Sequence, residues 1–247
     1  MKAASRLASL WLLACFAGAS IAQEASSVDL PLPTDSIPGE GPLRQHDWFR
    51  ELWNSRRRAW LQAVEKDQRA VVFLGDSITQ GLGDDLERRF PGLKSVNRGI
   101  SGDTTRGVLI RLSQDVIAIR PRAVVLLLGT NDIEEDVAPE LIVANMKEII
   151  ARLTASDPSL RILLCKIFPS SASKKRPAER ILRVNELYAE AVVGDRQVTL
   201  VDTWGLFANG AGDAKTEEFP DLLHPNEIGY SKWTAYLAPL LIGALMR

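Results

Sequence analysis

Apolar residues in this chain fall into two rhythms. Short runs of consecutive apolar positions occur at Val71–Leu74, Val124–Leu128, Ile162–Ile167 and Val198–Val201, with a weaker one near Lys94–Asn97. Between them lie stretches of helical spacing near 80–90, 104–119, 139–155 and 177–193, and a last one from about Pro225 to Met246. The strand-length runs are apolar at successive rather than alternate positions, as burial on both faces requires. The pattern predicts an α/β domain: a parallel sheet covered by helices. Ahead of it, Trp48, Phe49, Leu52, Trp53, Trp60, Leu61 and Val64 recur at roughly helical spacing, predicting an amphipathic helix packed on the domain.

The two ends of the chain change the picture. Lys2 and Arg6 precede an apolar stretch from Leu7 to Ala19, followed by the small-x-small triplet Ser20-Ile21-Ala22. Residues 1–22 therefore read as a secretory signal peptide cut after Ala22, which predicts export to the periplasm or medium. Leu12-Leu13-Ala14-Cys15 loosely resembles a bacterial lipoprotein box, but Leu13 fits it poorly, so a lipid anchor on Cys15 is the less favoured expectation. The apolar stretch is short for a membrane span, and no other segment is long enough. Residues 23–42 carry four prolines and little bulk, and read as an extended leader or linker. Residues 43–247 then form one domain.

Charge and cysteine content exclude several classes. With 30 basic and 31 acidic residues the formal net charge is −1, which gives no electrostatic case for nucleic acid or an anionic membrane surface. Removal of residues 1–22 leaves Cys165 alone, without an intramolecular disulfide partner. It sits in the strand-like run RILLCKIF and is expected to fill core space. The two histidines, His46 and His224, are too isolated to suggest a metal site.

In a parallel sheet, the loops at the carboxyl ends of the strands gather along one edge, where sites form. Those loops carry GDSIT (75–79), NRGISGD (97–103), GTND (129–132), FPS (168–170) and DTW (202–204), and DLLHPN (221–226) precedes the final helix. Ser77 would stand at a helix start, where unpaired N–H groups favour a developing oxyanion. It, or Asp76, would equally serve as a helix cap. A serine hydroxyl needs a base. His46 lies beside the leader with no partner pattern, whereas His224 follows Asp221 by three residues, so Asp221 could fix its tautomer while the other ring nitrogen faces Ser77. Pro225 suits the first position of the last helix. The Ser77 N–H, the Gly99 N–H and the Asn131 amide are candidate oxyanion donors, although Gly99 and Asn131 are also ordinary turn residues. Asp103 reads as a helix cap and Asp132 as a loop-orienting residue. Asp76, Arg98 and Trp204 are candidate substrate contacts. Arg98 and Arg106 could meet an anionic group or form structural ion pairs, and Trp204, Phe207 and Phe219 could wall a pocket or simply pack.

These motifs together resemble the SGNH hydrolases, also called the GDSL esterase family, over about residues 70–245. The family's four named residues match Ser77, Gly99, Asn131 and His224, with Ile78 where the family's name has Leu. GDSITQG, NRGISGDTT and GTND resemble the subgroup around the catalytic subunits of platelet-activating factor acetylhydrolase, which also holds secreted bacterial esterases of acetylated carbohydrates. The resemblance implies a three-layer α/β/α flavodoxin-like fold with a five-stranded parallel sheet, no cofactor, and Asp221 as the triad acid. A G-x-S-x-G elbow around Ser77 is missing, which disfavours the ordinary α/β-hydrolase reading. The expected activity is ester hydrolysis through an acyl-enzyme, with a short acyl group on a carbohydrate or other polar alcohol. A lysophospholipase-type acylhydrolase is the alternative within the enzyme class. A catalytically silent carbohydrate-binding or scaffold protein is the alternative outside it. Oligomeric state is not legible.

Overall fold

The computed structural model describes residues 28–32, 34 and 37–246. The expected signal peptide with Cys15, and residues 23–27, 33, 35 and 36 of the expected leader, lie outside the described residues. Elements follow in the order α1 (Asp47–Gln62), α2 (Val64–Asp67), β1 (Val71–Gly75), α3 (Ser77–Gln80), β2 (Ser95–Gly99), α4 (Thr105–Asp115), β3 (Ala123–Leu127), α5 (Thr130–Glu134), α6 (Pro139–Ser156), β4 (Arg161–Cys165), α7 (Ala178–Ala191), β5 (Val198–Val201), α8 (Thr203–Phe207) and α9 (Glu227–Leu245). The five strands pair in parallel in the order β2-β1-β3-β4-β5. The chain thus leaves β1 for one side of the sheet and returns to β3 on the other. A crevice opens where the connections diverge, beyond the carboxyl ends of β1 and β3.

Alternate strand residues feed two cores, which is why consecutive positions are apolar. Val72, Leu74, Val124, Leu126, Ile162 and Leu164 pack beneath α4, α6 and α7. Phe73, Val125, Leu127, Leu163 and Cys165 face α3 and α9 on the other side, around an aromatic cluster of Phe168, Phe207, Phe219 and Trp233. This is the three-layer α/β/α arrangement. A third, smaller cluster of Leu30, Leu43, Phe49, Trp53, Trp60 and Ile100 seats α1 on the outside of α4. The described part of the leader lies on this face. The Leu30 N–H donates to Asn54 Oδ1 at 2.8 Å, and the Glu40 N–H to Asn145 Oδ1 at 3.1 Å.

Three local expectations need correction. The helix read near 80–90 is one turn, α3, followed by turns to Phe90. Gly83 and Gly92 take φ of 81° and 75°, which stops propagation there. The cap of α4 is Thr104, whose side chain accepts the Gly107 N–H, not Asp103. The last helix begins at Glu227 with Asn226 as its cap, leaving Pro225 outside, because the Asn226 side chain accepts the Gly229 N–H at 3.0 Å.

Candidate active site

Ser77, Asn131, Asp221 and His224, from loops far apart in sequence, meet at this crevice. Ser77 is the first residue of α3, and Asp76 precedes it as the cap, accepting the Ile78 N–H at 2.9 Å. His224 Nε2 lies 3.0 Å from Ser77 Oγ, and His224 Nδ1 lies 2.7 Å from Asp221 Oδ2. An ionised carboxylate only accepts, so Nδ1 carries the proton and Nε2 is left to accept from the serine hydroxyl.

The Asp221–His224 turn builds itself. Asp221 Oδ1 accepts the N–H groups of Leu223 at 3.0 Å and of His224 at 2.7 Å. Leu222 between them takes φ of 62°, an uncommon conformation for leucine, and its carbonyl accepts from Ser170 Oγ at 2.7 Å. Burial acts to raise the Asp221 pKa, but the His224 and Leu223 N–H groups and the imidazole together bring it below its usual value. Both side chains stay accessible, at 42% for His224 and 45% for Asp221, so the pair opens to solvent. Tyr230 on α9 donates to the Ile78 carbonyl at 2.9 Å and so ties the helix after His224 to the helix carrying Ser77.

The oxyanion side differs from expectation. The Gly99 N–H donates to Asn97 Oδ1 at 2.9 Å inside the fold and is not free. Gly99 has another duty. A Cβ there would stand 2.3 Å from the Gln80 nitrogen and 2.8 Å from the Asp76 carbonyl, so only glycine lets α3 sit directly on β2. The unpartnered donor is three residues on. Among the described residues the N–H groups of Ser77 and Gly102 make no hydrogen bond. Gly102 takes φ of 86°, and a Cβ would stand 2.7 Å from Trp48. Its loop is pinned by Gln80, whose Oε1 accepts the Ser101 N–H at 2.8 Å and the Ser101 hydroxyl at 3.1 Å. The next carbonyl, of Asp103, accepts from Asn131 Nδ2 at 2.9 Å, which brings the Asn131 amide beside the Gly102 peptide. Gly102 was missed because residue type alone does not say which of two glycines in GISG keeps a free N–H.

Arg176 was missed as well. It is buried behind Asn131 and donates to Asn131 Oδ1 at 3.1 Å, Glu134 at 2.9 Å and Thr130 Oγ1 at 3.0 Å. The amide therefore faces a donor at its oxygen and an acceptor at its nitrogen, so a flip would break both contacts. In sequence it ends the basic run KKR (174–176), which reads as a solvated face; the structure corrects this, because the 171–177 loop after β4 turns Arg176 inward while its neighbours stay outside.

The three candidate substrate contacts fall elsewhere. Asp76 is fully buried. Burial is the main cause that raises it to about 7, neighbouring Asp103 and Asp132 add to this, and the Ile78 N–H and Arg176 oppose it. Its Oδ2 is buried without a hydrogen-bond partner. Arg98 is buried on the far face of β2, bonded to Asp67 at 2.6 Å and to the Asp115 carbonyl at 2.9 Å. It borders a cavity of about 570 Å³ between α1 and β2, whose lining includes neither Ser77 nor His224. Trp204 packs against the α7-side core, and Phe207 and Phe219 belong to the buried aromatic cluster. Arg106 binds the carbonyls of Gly41 and Thr34, holding the leader. Asp103 pairs with Arg111 at 2.8 Å, and Asp132 accepts the Thr105 N–H and hydroxyl, joining α5 to α4. Burial raises both acids to about 6. Burial also pushes the Cys165 thiol up to about 12, so it is inert filler. Among the described residues no cluster of His, Cys, Asp and Glu could hold a metal ion, and no helix is long and apolar enough to cross a membrane.

A parallel α/β/α sheet with a serine, an imidazole and a carboxylate in hydrogen-bonded series at its topological switch defines a class of hydrolytic enzymes. The chain belongs to the GDSL-like lipase/acylhydrolase family, whose model matches residues 73–232, and it is a carboxylic ester hydrolase of the SGNH type. It is similar to platelet-activating factor acetylhydrolase IB subunit alpha1 of Homo sapiens, 27% identical over 225 residues, spanning 90% of this chain and 92% of that protein. The corresponding alpha2 subunit of Bos taurus is 28% identical over 198 residues, 79% of this chain and 86% of that protein. Among solved structures, a platelet activating factor protein from Streptococcus pneumonia superposes with a TM-score of 0.71 at 27% identity, covering 79% of this chain and 95% of that one.

Proposed function

We propose that this esterase works by two acyl transfers at Ser77, and that its acyl group is short, acetyl first. The hydrogen-bonded series Ser77 Oγ, His224 Nε2, His224 Nδ1 and Asp221 Oδ2, at 3.0 and 2.7 Å, carries the reading. His224 takes the Ser77 proton as Oγ attacks the ester carbonyl. The tetrahedral oxyanion is held by the N–H groups of Ser77 and Gly102 and by the Asn131 amide, each worth on the order of 100- to 1000-fold in rate. His224 then protonates the leaving alcohol. Water, deprotonated by the same imidazole, attacks the acyl-enzyme, and the collapsing intermediate returns the proton to Ser77 and frees the acid. Asp221 holds the imidazole tautomer and stabilises the transient imidazolium.

The preference for acetyl draws on the names of the relatives, which are acetylhydrolases. A carbohydrate or other polar alcohol is the proposed leaving group, and export through residues 1–22 would place the enzyme where such esters occur outside the cytoplasm. Three measurements test the reading. A fluorophosphonate should label the wild type and not Ser77→Ala. In a series of p-nitrophenyl esters, kcat/KM should fall from acetate to decanoate, and a maximum at decanoate would overturn the short-acyl assignment. N-terminal sequencing of the mature protein should begin at Gln23.

A further inference from the structure

Beside the proposed oxyanion loop lies a cavity of about 350 Å³, lined by Arg44, His46, Trp48, Glu134, Glu135 and Lys175. Its volume is within the range of about 300–1,000 Å³ usual for small-molecule sites. Two of its walls continue from the reacting centre. Glu134 ends the short helix that contains Asn131, and Lys175 precedes Arg176, which bonds the Asn131 amide. The third wall touches the centre directly, because Trp48 stands 2.7 Å from where a Gly102 side chain would begin.

Trp48 is not needed for the core. Phe49 and Trp53 on the same helix are fully buried, whereas Trp48 is 50% exposed. An exposed tryptophan beside a catalytic cleft is an unusual use of a residue that normally buries most of its surface. The His46 ring stacks against it nearly parallel, at 11° and 6.3 Å between centroids, and so helps hold the indole in place. Across from that surface the polar groups are already fixed: Arg44 donates to Glu135 at 2.8 Å and also pairs with Glu134, which Arg176 holds from behind. Fixed partners lose little side-chain freedom when a ligand arrives. The Glu134 and Glu135 carboxylates retain unused lone pairs.

Charge decides what fits. Arg44 and Lys175 match Glu134 and Glu135 in number, so the lining itself carries no net formal charge, and Arg176 behind Glu134 is already bonded to the Asn131 amide. What remains is a flat apolar platform faced by ordered donors and acceptors. A neutral ligand with a C–H face and many hydroxyls matches both halves, and a sugar ring is that ligand. We infer that this cavity is a carbohydrate subsite, holding a sugar unit next to the one whose ester lies at Ser77. The inference rests on the esterase reading for its position and supplies that reading with an alcohol part.

Binding and turnover test it separately. Ser77→Ala protein is titrated by calorimetry with an acetylated xylo-oligosaccharide, alone and with Trp48→Ala or Trp48→Phe added. Loss of the platform should weaken binding by roughly tenfold, the order of one stacking contact, and phenylalanine should restore most of it. In the active enzyme, Trp48→Ala should lower the ratio of kcat/KM for the sugar ester to that for p-nitrophenyl acetate by about the same factor. Melting temperatures show whether either variant disturbs the α1 packing, and the phenylalanine variant keeps the comparison valid if alanine does. Equal affinity with and without Trp48, no binding by the Ser77→Ala parent, or tighter binding of a uronic acid than of the neutral sugar would each overturn the subsite. Sugar binding that depends on Trp48 without any ester turnover would leave the subsite standing and remove the esterase mechanism.

Discussion

Replacing Arg176 by methionine should slow catalysis without touching any group that meets substrate. The guanidinium is almost completely buried, and one of its nitrogens lies 3.1 Å from Asn131 Oδ1. Asn131 Nδ2 in turn lies 2.9 Å from the Asp103 carbonyl, so the arginine fixes which end of the amide faces the oxyanion. A hydrogen bond to a charged group is worth about 1.5–3 kcal/mol net. If that stabilisation of the correct amide orientation is needed in the transition state, its loss lowers kcat by roughly 10- to 150-fold. Loss of the Asn131 amide itself would cost on the order of 100- to 1000-fold, so Arg176→Met should fall below Asn131→Ala in severity. The assay is kcat and KM on p-nitrophenyl acetate, with melting temperature alongside, because Arg176 also binds Glu134 and the Thr130 carbonyl. Arg176→Lys keeps the charge but not the planar fork and should be intermediate. A kcat within twofold of wild type in a variant that melts early would mean that Arg176 only stabilises the fold, and the positioning role would fail.

Other perturbations separate the remaining parts of the site. Asp221→Asn offers an amide where His224 Nδ1–H needs an acceptor and should lower kcat by roughly 100- to 10,000-fold with KM little changed, measured on the same ester. Gly102→Ala puts a methyl group 2.7 Å from Trp48 at φ of 86° and should reduce both melting temperature and kcat, whereas Gly99→Ala meets backbone at 2.3 Å and should mainly yield insoluble protein. Asp76 has a folded pKa raised to about 7 above an unfolded value near 3.8, so its stabilising contribution is complete below ~4 and is lost as pH rises through ~7. Stability to urea should therefore fall over that window, by up to about 1.4 kcal/mol per pH unit from this group, with Asp103 and Asp132 acting in the same direction. Asp76→Asn should flatten the slope, and an unchanged slope would show that Asp76 does not titrate there.

The fold was legible because parallel strands buried on both faces write continuous apolar runs, and β1, β3, β4 and β5 each overlap such a run, whereas β2 (Ser95–Gly99) carries Val96 as its one large apolar side chain and reads only weakly. Ser77, Asn131, Asp221 and His224 were legible for a related reason: each follows a strand end or precedes a helix in a local pattern whose residue types fit one reaction. The Asp221–His224 turn is nearly self-contained, built from hydrogen bonds spanning two and three residues. Local pattern did not reach the rest. The Gly99 N–H is consumed by Asn97 from the same strand, and the N–H left without a partner is that of Gly102, in a loop that Gln80 pins at Ser101. Arg98 reads as available and is buried against Asp67, 31 residues away, while Arg176, which reads as one of a solvated basic run, reaches Asn131 across 45 residues. Sequence by itself determined the strands, the layers and the residue types of the candidate site, because those follow from periodicity and side-chain type along a continuous stretch. Tertiary structure alone decided which donors stay free and which charges are already satisfied, because a hydrogen-bonding group is spent by whatever neighbour the fold brings within about 3 Å, and that neighbour is set by packing across the sheet.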